Sequence, residues 1–152
     1  MFVVLSIALQ RTFYSADAIF NWPAMRGQWL ELAVFLLVGR IRWRVIIVSA
    51  CYAGGFIEPL RGPTTLVMTA ADATHTSFGC GAASDFTYFA KALFDEQLRT
   101  TRSFERAFAA ALPVIRERER ERGQEFSNPQ IALGEQMRAK LAEIERRLAR
   151  AR

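Results

Sequence analysis

The stretch Arg44-Val-Ile-Ile-Val-Ser-Ala50 predicts a buried strand. Four consecutive β-branched residues favour a strand, and an unbroken apolar run is typical of a strand buried on both faces of a parallel sheet. A second run of this kind is Thr64-Thr-Leu-Val-Met-Thr-Ala70, and Gln130-Ile-Ala-Leu133 predicts a third, shorter strand. Residues 51–58 leave room for little more than a turn and a brief helix between the first two strands.

Two helices are predicted between the second and third strands. The first spans Asp85 to Leu98, with Ser84 or Asp85 as its N-cap. The second begins after Ser103, and Pro113 inside it is expected to kink or restart it. Its apolar residues recur at helical spacing: Phe104, Phe108, Leu112 and Ile115. Strands that alternate with helices predict an α/β fold with a parallel sheet.

Composition divides the chain into three segments. Residues 1–39 form an apolar, aromatic segment of poor periodicity, for which no architecture is predicted. Residues 40–134 carry the predicted strands and helices. Residues 135–152 are charged, and their apolar residues form one seam on a short helix: Met137, Leu141, Ile144 and Leu148. A seam this short predicts a helix docked on the domain rather than an independent coiled coil.

Composition also excludes several classes of protein. Half of the 152 residues are hydrophobic (51%), which excludes a wholly disordered chain. Two cysteines and one histidine exclude a disulfide-dense scaffold, a four-cysteine zinc site and a multi-histidine metal site. No metal or other cofactor is expected. The net charge of +5 raises the question of nucleic acid. No nucleic-acid partner is expected, because acidic residues alternate with the arginines of residues 116–122.

The apolar N-terminal segment bears on membrane association. Residues 29–38 are roughly half of the about 20 residues that a helix needs to span a bilayer. No transmembrane helix is therefore predicted, although residues 1–39 could attach the chain to a membrane. The sequence fits a cytoplasmic or a membrane-associated protein equally well.

Cys51 occupies a position where chemistry is expected. It lies one residue past the first predicted strand, and ligands and reacting groups gather at the carboxyl ends of parallel strands. Gly54 and Gly55 would let the backbone approach a bound ligand closely. A helix that begins just after Cys51 would stabilise its thiolate. The alternative is a small, buried and inert cysteine.

The sequence around Cys51 and downstream of it resembles that of a known family. The segments, in chain order, are Ile41-Arg-Trp-Arg44, Val48-Ser-Ala-Cys-Tyr-Ala-Gly-Gly-Phe56, Thr69-Ala-Ala71 with Thr76-Ser-Phe-Gly-Cys80, Asp85-Phe-Thr-Tyr-Phe89 and Ser127-Asn-Pro-Gln130. Together they resemble the legumain family of cysteine peptidases, in the caspase-like clan, and the first of them is similar to bacterial members. The resemblance covers about residues 40–134. It implies a three-layer α/β/α caspase-like parallel sheet, here its C-terminal half.

The resemblance implies peptide-bond hydrolysis through a thioester acyl-enzyme. Cys51 would be the nucleophile, and its backbone N–H would donate to the oxyanion. In the family a histidine within a Ser-His-Gly segment serves as base, but no Ser-His-Gly occurs in this chain. His75, after the second strand, is the candidate base, and a surface-loop histidine is the alternative. Cys80 is expected to be a packed second cysteine.

The resemblance also indicates residues that contact a peptide substrate. Thr76 and Ser77 match positions that line the pocket for the residue before the cleaved bond. Plant and animal members place an acidic residue three after the helix tyrosine, whereas that spacing from Tyr88 leads to Lys91 here. Asparagine selectivity is therefore not supported, and an inward-pointing Lys91 would favour an acidic or neutral side chain.

Two functions from different classes follow. The first is a legumain-like cysteine endopeptidase that depends on Cys51 and has a peptide or protein substrate. The second is a truncated, non-catalytic relative that at most binds peptides or a partner chain. The missing Ser-His-Gly segment supports the second, and so does an apolar strand at residues 45–50 that would be an unpaired edge unless residues 1–39 cover it.

Overall fold

A four-stranded sheet forms the centre of the protein. The computed structural model describes residues 3–7, 41–79 and 86–151, the first of these ranges by its backbone. The strands are β1 (Val3–Ile7), β2 (Arg44–Val48), β3 (Thr65–Thr69) and β4 (Gln130–Leu133), and they lie side by side in this order. β2 is parallel to both of its neighbours, so it is an inner strand and not an unpaired edge.

The fold class predicted from the sequence, α/β, is confirmed, but the sheet is mixed. β4 runs antiparallel to β3, with Thr69 opposite Gln130 and Leu66 opposite Leu133. The reason lies in where the chain returns to the sheet. The backbone N–H of Asp72, three residues past β3, donates to the carbonyl of Ser127 at 3.1 Å. The chain therefore re-enters the sheet at the carboxyl end of β3 and can only run back along it.

The helices follow the predicted order with different boundaries. A 3-10 turn (Ala53–Phe56) and α1 (Ile57–Leu60) connect β2 to β3. A continuous helical stretch then comprises α2 (Tyr88–Ala90), a π-helical segment (Lys91–Gln97) and α3 (Leu98–Thr100). After it come α4 (Phe104–Glu121) and α5 (Glu135–Arg150).

Two details of the helix predictions need correction. The N-cap of α2 is Thr87, whose Oγ1 accepts the backbone N–H of Ala90 at 3.0 Å, and not Ser84 or Asp85, which lie outside the described residues. α4 continues through Pro113 without a restart. Pro113 is exposed, so the carbonyl group that loses its partner to the proline ring can turn toward water.

The sheet is covered on both faces, as the apolar runs predicted. Alternate residues of β2 and β3 face the long helices, and the buried side chains on this side include Val45, Ile47, Leu66, Met68, Phe89, Leu93, Phe108, Ile115 and Met137. On this side the rings of Phe89 and Phe108 meet edge to face, with centroids 6.4 Å apart. The intervening residues Ile46 and Val48 face the 3-10 turn and α1 instead. The period of two along each strand thus separates two packing layers.

The C-terminal helix α5 is anchored at its first turn. Met137 is fully buried, and its backbone N–H donates to the carbonyl of Pro63 at 3.0 Å. Farther along, two ion pairs join α5 to α4. Arg138 of α5 pairs with Glu105, and Glu145 of α5 pairs with Arg106. Met137 and Leu141 of the apolar seam of α5 therefore pack on the domain core, whereas Leu148 at the end of the seam is exposed. In residues 3–7, 41–79 and 86–151, no helix has the length and apolar character that crossing a bilayer requires.

Candidate functional site

Cys51 lies just beyond the carboxyl end of the inner strand β2. It is a free cysteine and is partly buried. Ser77, from the loop after β3, lies against its sulfur: the Sγ–H donates to the Ser77 carbonyl and the Ser77 N–H donates to Sγ, both at 3.4 Å. The structure therefore brings together two of the residues predicted for the site, from the loops that follow neighbouring parallel strands.

The backbone directly after Cys51 is tightly turned. Tyr52 adopts a left-handed conformation (φ 56°), and its N–H donates to the carbonyl of His75 at 2.9 Å. A Cβ on Gly54 would lie 2.5 Å from the backbone of Asp72 and Ala73, so only glycine fits there. At Gly54 the close approach that the sequence suggested for a ligand is thus made by the chain itself, whereas a Cβ on Gly55 would meet no other atom within 4 Å. A 3-10 turn, and not an α-helix, follows Cys51.

Asp72 is the centre of the hydrogen-bond network in the loop after β3. Its carboxylate accepts the backbone N–H groups of Thr74 at 2.8 Å and His75 at 2.9 Å, and also the hydroxyl of Thr74. Asn128 donates to the same carboxylate at 2.9 Å from the loop before β4. Burial by itself would raise the pKa of Asp72, but the hydrogen bonds from Asn128, Thr74 and His75 hold that pKa well below its usual range.

The imidazole of His75 lies between two carboxylates. Its Nδ1 is 2.8 Å from both carboxylate oxygens of Asp72, and its Nε2 is 3.3 Å from Glu125. The hydrogen bond with Asp72, supported by the charge of Glu125, raises the pKa of His75. The backbone carbonyl of His75 accepts the N–H of Tyr52, the residue after Cys51. The ring of His75, in contrast, faces Asp72 and Glu125.

Stability should depend on pH through His75. Protonated His75 stabilises the fold because its pKa is higher in the folded than in the unfolded chain. This contribution is fully present below the unfolded value of about 6.5 and is lost as the pH rises through the folded value. We expect the urea midpoint of the protein to fall between pH 5.5 and pH 8.5, and to fall less in His75→Gln. Equal pH dependence in the two proteins would contradict this assignment.

The remaining predicted site residues are less closely associated with Cys51. Thr76 is half-buried and directly precedes Ser77. Lys91 is exposed at the first position of the π-helical segment, where its backbone N–H donates to the carbonyl of Thr87. Cys80 lies outside the described residues.

Sequence reasoning missed residues that support the site from elsewhere in the fold. The Ser49 and Thr87 hydroxyls, both buried, lie 2.9 Å apart and join the end of β2 to the N-terminus of α2. The carboxylate of buried Glu119 accepts the N–H of Ser127 at 2.9 Å and so holds the loop before β4, and burial raises the pKa of Glu119. The Asp72-Ala-Thr-His75 sequence did carry a signal, since an aspartate that caps the second and third residues after it is typical of an Asx turn.

Comparison with known proteins finds one family. The model of the peptidase C13 family matches residues 22–139, which is more than half of the chain and begins earlier than the resemblance seen around residue 40. No curated protein matches the chain. In the part of the chain that the structure describes, no group of histidine, cysteine and carboxylate side chains could hold a metal ion.

Proposed function

The chain belongs to the peptidase C13 family, the legumain family of cysteine peptidases, and from this premise we propose that it cleaves peptide bonds with Cys51 as nucleophile. One observation carries the proposal. Cys51 is a free, partly buried cysteine at the carboxyl end of an inner parallel strand, with its sulfur held by the loop of the next strand. This is the place where open α/β sheets gather reacting groups.

In the proposed reaction, Sγ of Cys51 attacks the carbonyl carbon of the scissile bond. The S–C bond forms as the carbonyl electrons move onto oxygen, and the carbon–nitrogen bond of this tetrahedral oxyanion then breaks while the leaving amine takes up a proton. Water hydrolyses the resulting thioester to a carboxylic acid and the free thiol of Cys51. The backbone N–H of Cys51 is the proposed donor to the developing oxyanion. No cofactor enters the reaction.

His75 is the proposed base. Its neutral ring would accept the proton of Cys51 and pass it to the leaving amine. Asp72, on Nδ1, fixes the tautomer, so that Nε2 is the nitrogen left for proton transfer. In the structure Nε2 pairs with Glu125, whose side chain is 81% exposed, and such an exposed pair is weak enough to exchange.

Thr76, Ser77 and Lys91 are the proposed contacts to the substrate side chain before the cleaved bond. The whole protein, incubated with a mixed peptide library and read by mass spectrometry, tests both the activity and this assignment. We expect cleavage products, with acidic or neutral residues favoured at that position because the Lys91 ammonium repels cations. Lys91→Ala should weaken the preference. A preference for arginine or lysine would contradict the role of Lys91, and a library left intact would contradict the activity.

A second candidate function is peptide binding without cleavage. It is favoured by the position of the His75 ring, which pairs with Asp72 and Glu125, and by the lack of a Ser-His-Gly sequence. A protein of this kind would retain library peptides without cutting them. Retained intact peptides would therefore support binding, whereas cleavage products lost in Cys51 variants would support the peptidase.

A further inference from the structure

We propose that Asp72 is a positioning residue for Cys51, which it controls through the turn formed by residues 72–77. The proposal rests on the function proposed above, since it concerns the same nucleophile. The family comparison assigns no role to Asp72, and the Asx-turn pattern and the pairing with His75 do not connect it to Cys51. Hydrogen bonds lead from the Asp72 carboxylate through this turn to the sulfur of Cys51.

The first step is that one carboxylate organises the turn. Asp72 accepts two backbone N–H groups, from Thr74 and His75, together with the hydroxyl of Thr74 and the ring N–H of His75. Its own N–H donates to the carbonyl of Ser127, and Asn128 donates to its second oxygen. Charge-assisted bonds are about twice as strong as neutral ones, so the ionised carboxylate fixes both the shape of the turn and its place beside the loop before β4.

The second step is that the turn holds the backbone around Cys51. The His75 carbonyl accepts the N–H of Tyr52, and the Ser77 N–H and carbonyl both bond to Sγ. Gly54 packs on the backbone of Asp72 itself, with no room for a side chain between them. Three hydrogen bonds and one packing contact therefore connect the cysteine loop to a turn whose conformation depends on one carboxylate.

The turn determines the orientation of the Cys51 sulfur. Hydrogen bonds between sulfur and backbone groups are weak. They orient Sγ of Cys51 only if the rest of the turn of residues 72–77 holds Ser77 in place. Because Asp72 is only 20% exposed and caps the start of the same turn, its removal leaves backbone N–H groups without their acceptor. Ser77 and the His75 carbonyl would then move relative to Cys51, whereas the sheet itself would keep its hydrogen bonds.

Amide hydrogen exchange on the full chain, resolved by residue, tests this proposal. In Asp72→Ala we expect the amides of Tyr52 and Ser77 to exchange at least about tenfold faster than in the wild type. The amides of Ala107 and Gly134, which donate within α4 and to the far end of β3, should change by less than about twofold. If peptides are cleaved, kcat should fall while KM stays within about twofold, because a misdirected nucleophile affects the reaction more than binding.

Two further variants make the test specific. Asp72→Asn keeps one oxygen for the N–H groups of Thr74 and His75, so its effect should be intermediate, and it replaces the alanine variant if that one does not fold. Asp95→Asn is the matched control, since Asp95 pairs only with the exposed Arg99 of the same helical stretch in the described structure, and it should leave all four amides unchanged.

The proposal is overturned if the amides of Tyr52 and Ser77 respond to Asp72 substitution no more than those of Ala107 and Gly134. Exchange is measured without any peptide, so its outcome does not depend on activity. A protein that cleaves no peptide but shows the selective exchange would refute the peptidase function and support the positioning of Cys51 by Asp72. An active protein whose amide exchange is unaltered by Asp72 substitution would refute only the positioning of Cys51 by Asp72.

Discussion

Cys51→Ala should remove peptide cleavage to background, a loss of at least about a thousandfold in kcat, because no other group replaces a deleted nucleophile. The fold should remain intact. The sulfur is partly buried and makes two weak contacts with Ser77, so its loss should cost no more than about 1 kcal/mol in the free energy of unfolding. A cleavage assay and a urea titration of the same preparation measure both quantities.

Two variants control this experiment. Cys51→Ser has nearly the same shape but a much poorer nucleophile, and it should be as inactive as the alanine variant. Cys80→Ala removes the other cysteine of the chain and should cleave at the wild-type rate. Cleavage that persists in both Cys51 variants, or that disappears in Cys80→Ala instead, would show that Cys51 is not the nucleophile.

The second large effect is expected at His75. His75→Ala should lower kcat by about a hundredfold or more, since a positioned base contributes on the order of a hundred- to ten-thousandfold. Imidazole added to the solution should restore part of the rate, because it can take the place of the missing ring in proton transfer. Rates are measured at several imidazole concentrations with saturating peptide.

Glu125→Gln separates the role of the His75 ring from that of its neighbours. This variant removes the carboxylate on Nε2 but leaves Asp72 on Nδ1, so it should stay active. Full activity in His75→Ala would exclude His75 as base. A loss that imidazole does not restore would assign His75 a structural role in the turn.

The elements found from the sequence are those with strong local patterns. β2 is marked by its run of β-branched residues, β3 by the largely apolar run around Leu66 to Met68, and α4 by apolar residues at helical spacing. The direction of β4 could not be predicted, because an alternating pattern is the same in either direction and only the contact of Asp72 with Ser127 decides it. β1 was missed, since its short apolar run lies in a segment without clear periodicity.

The location of the site could be predicted from the sequence, but the hydrogen bonds that connect its residues could not. Cys51 and Ser77 meet because parallel strands end at the same edge, a rule that needs only the order of the strands. The pairing of Asp72 with Asn128 joins residues 56 positions apart, and no local pattern connects them. The left-handed conformation of Tyr52, at a non-glycine residue, was equally beyond sequence reasoning.

Covalent trapping tests whether Cys51 is the nucleophile. The whole protein is incubated with a peptide that carries an electrophilic ketone in place of the scissile bond, and the adduct is located by mass spectrometry of its fragments. We expect one adduct per chain, on Cys51, that competing peptide prevents and that Cys51→Ala lacks. An adduct on Cys80, or labelling of Cys51 that is no faster than that of the unfolded chain and insensitive to peptide, would contradict this role of Cys51.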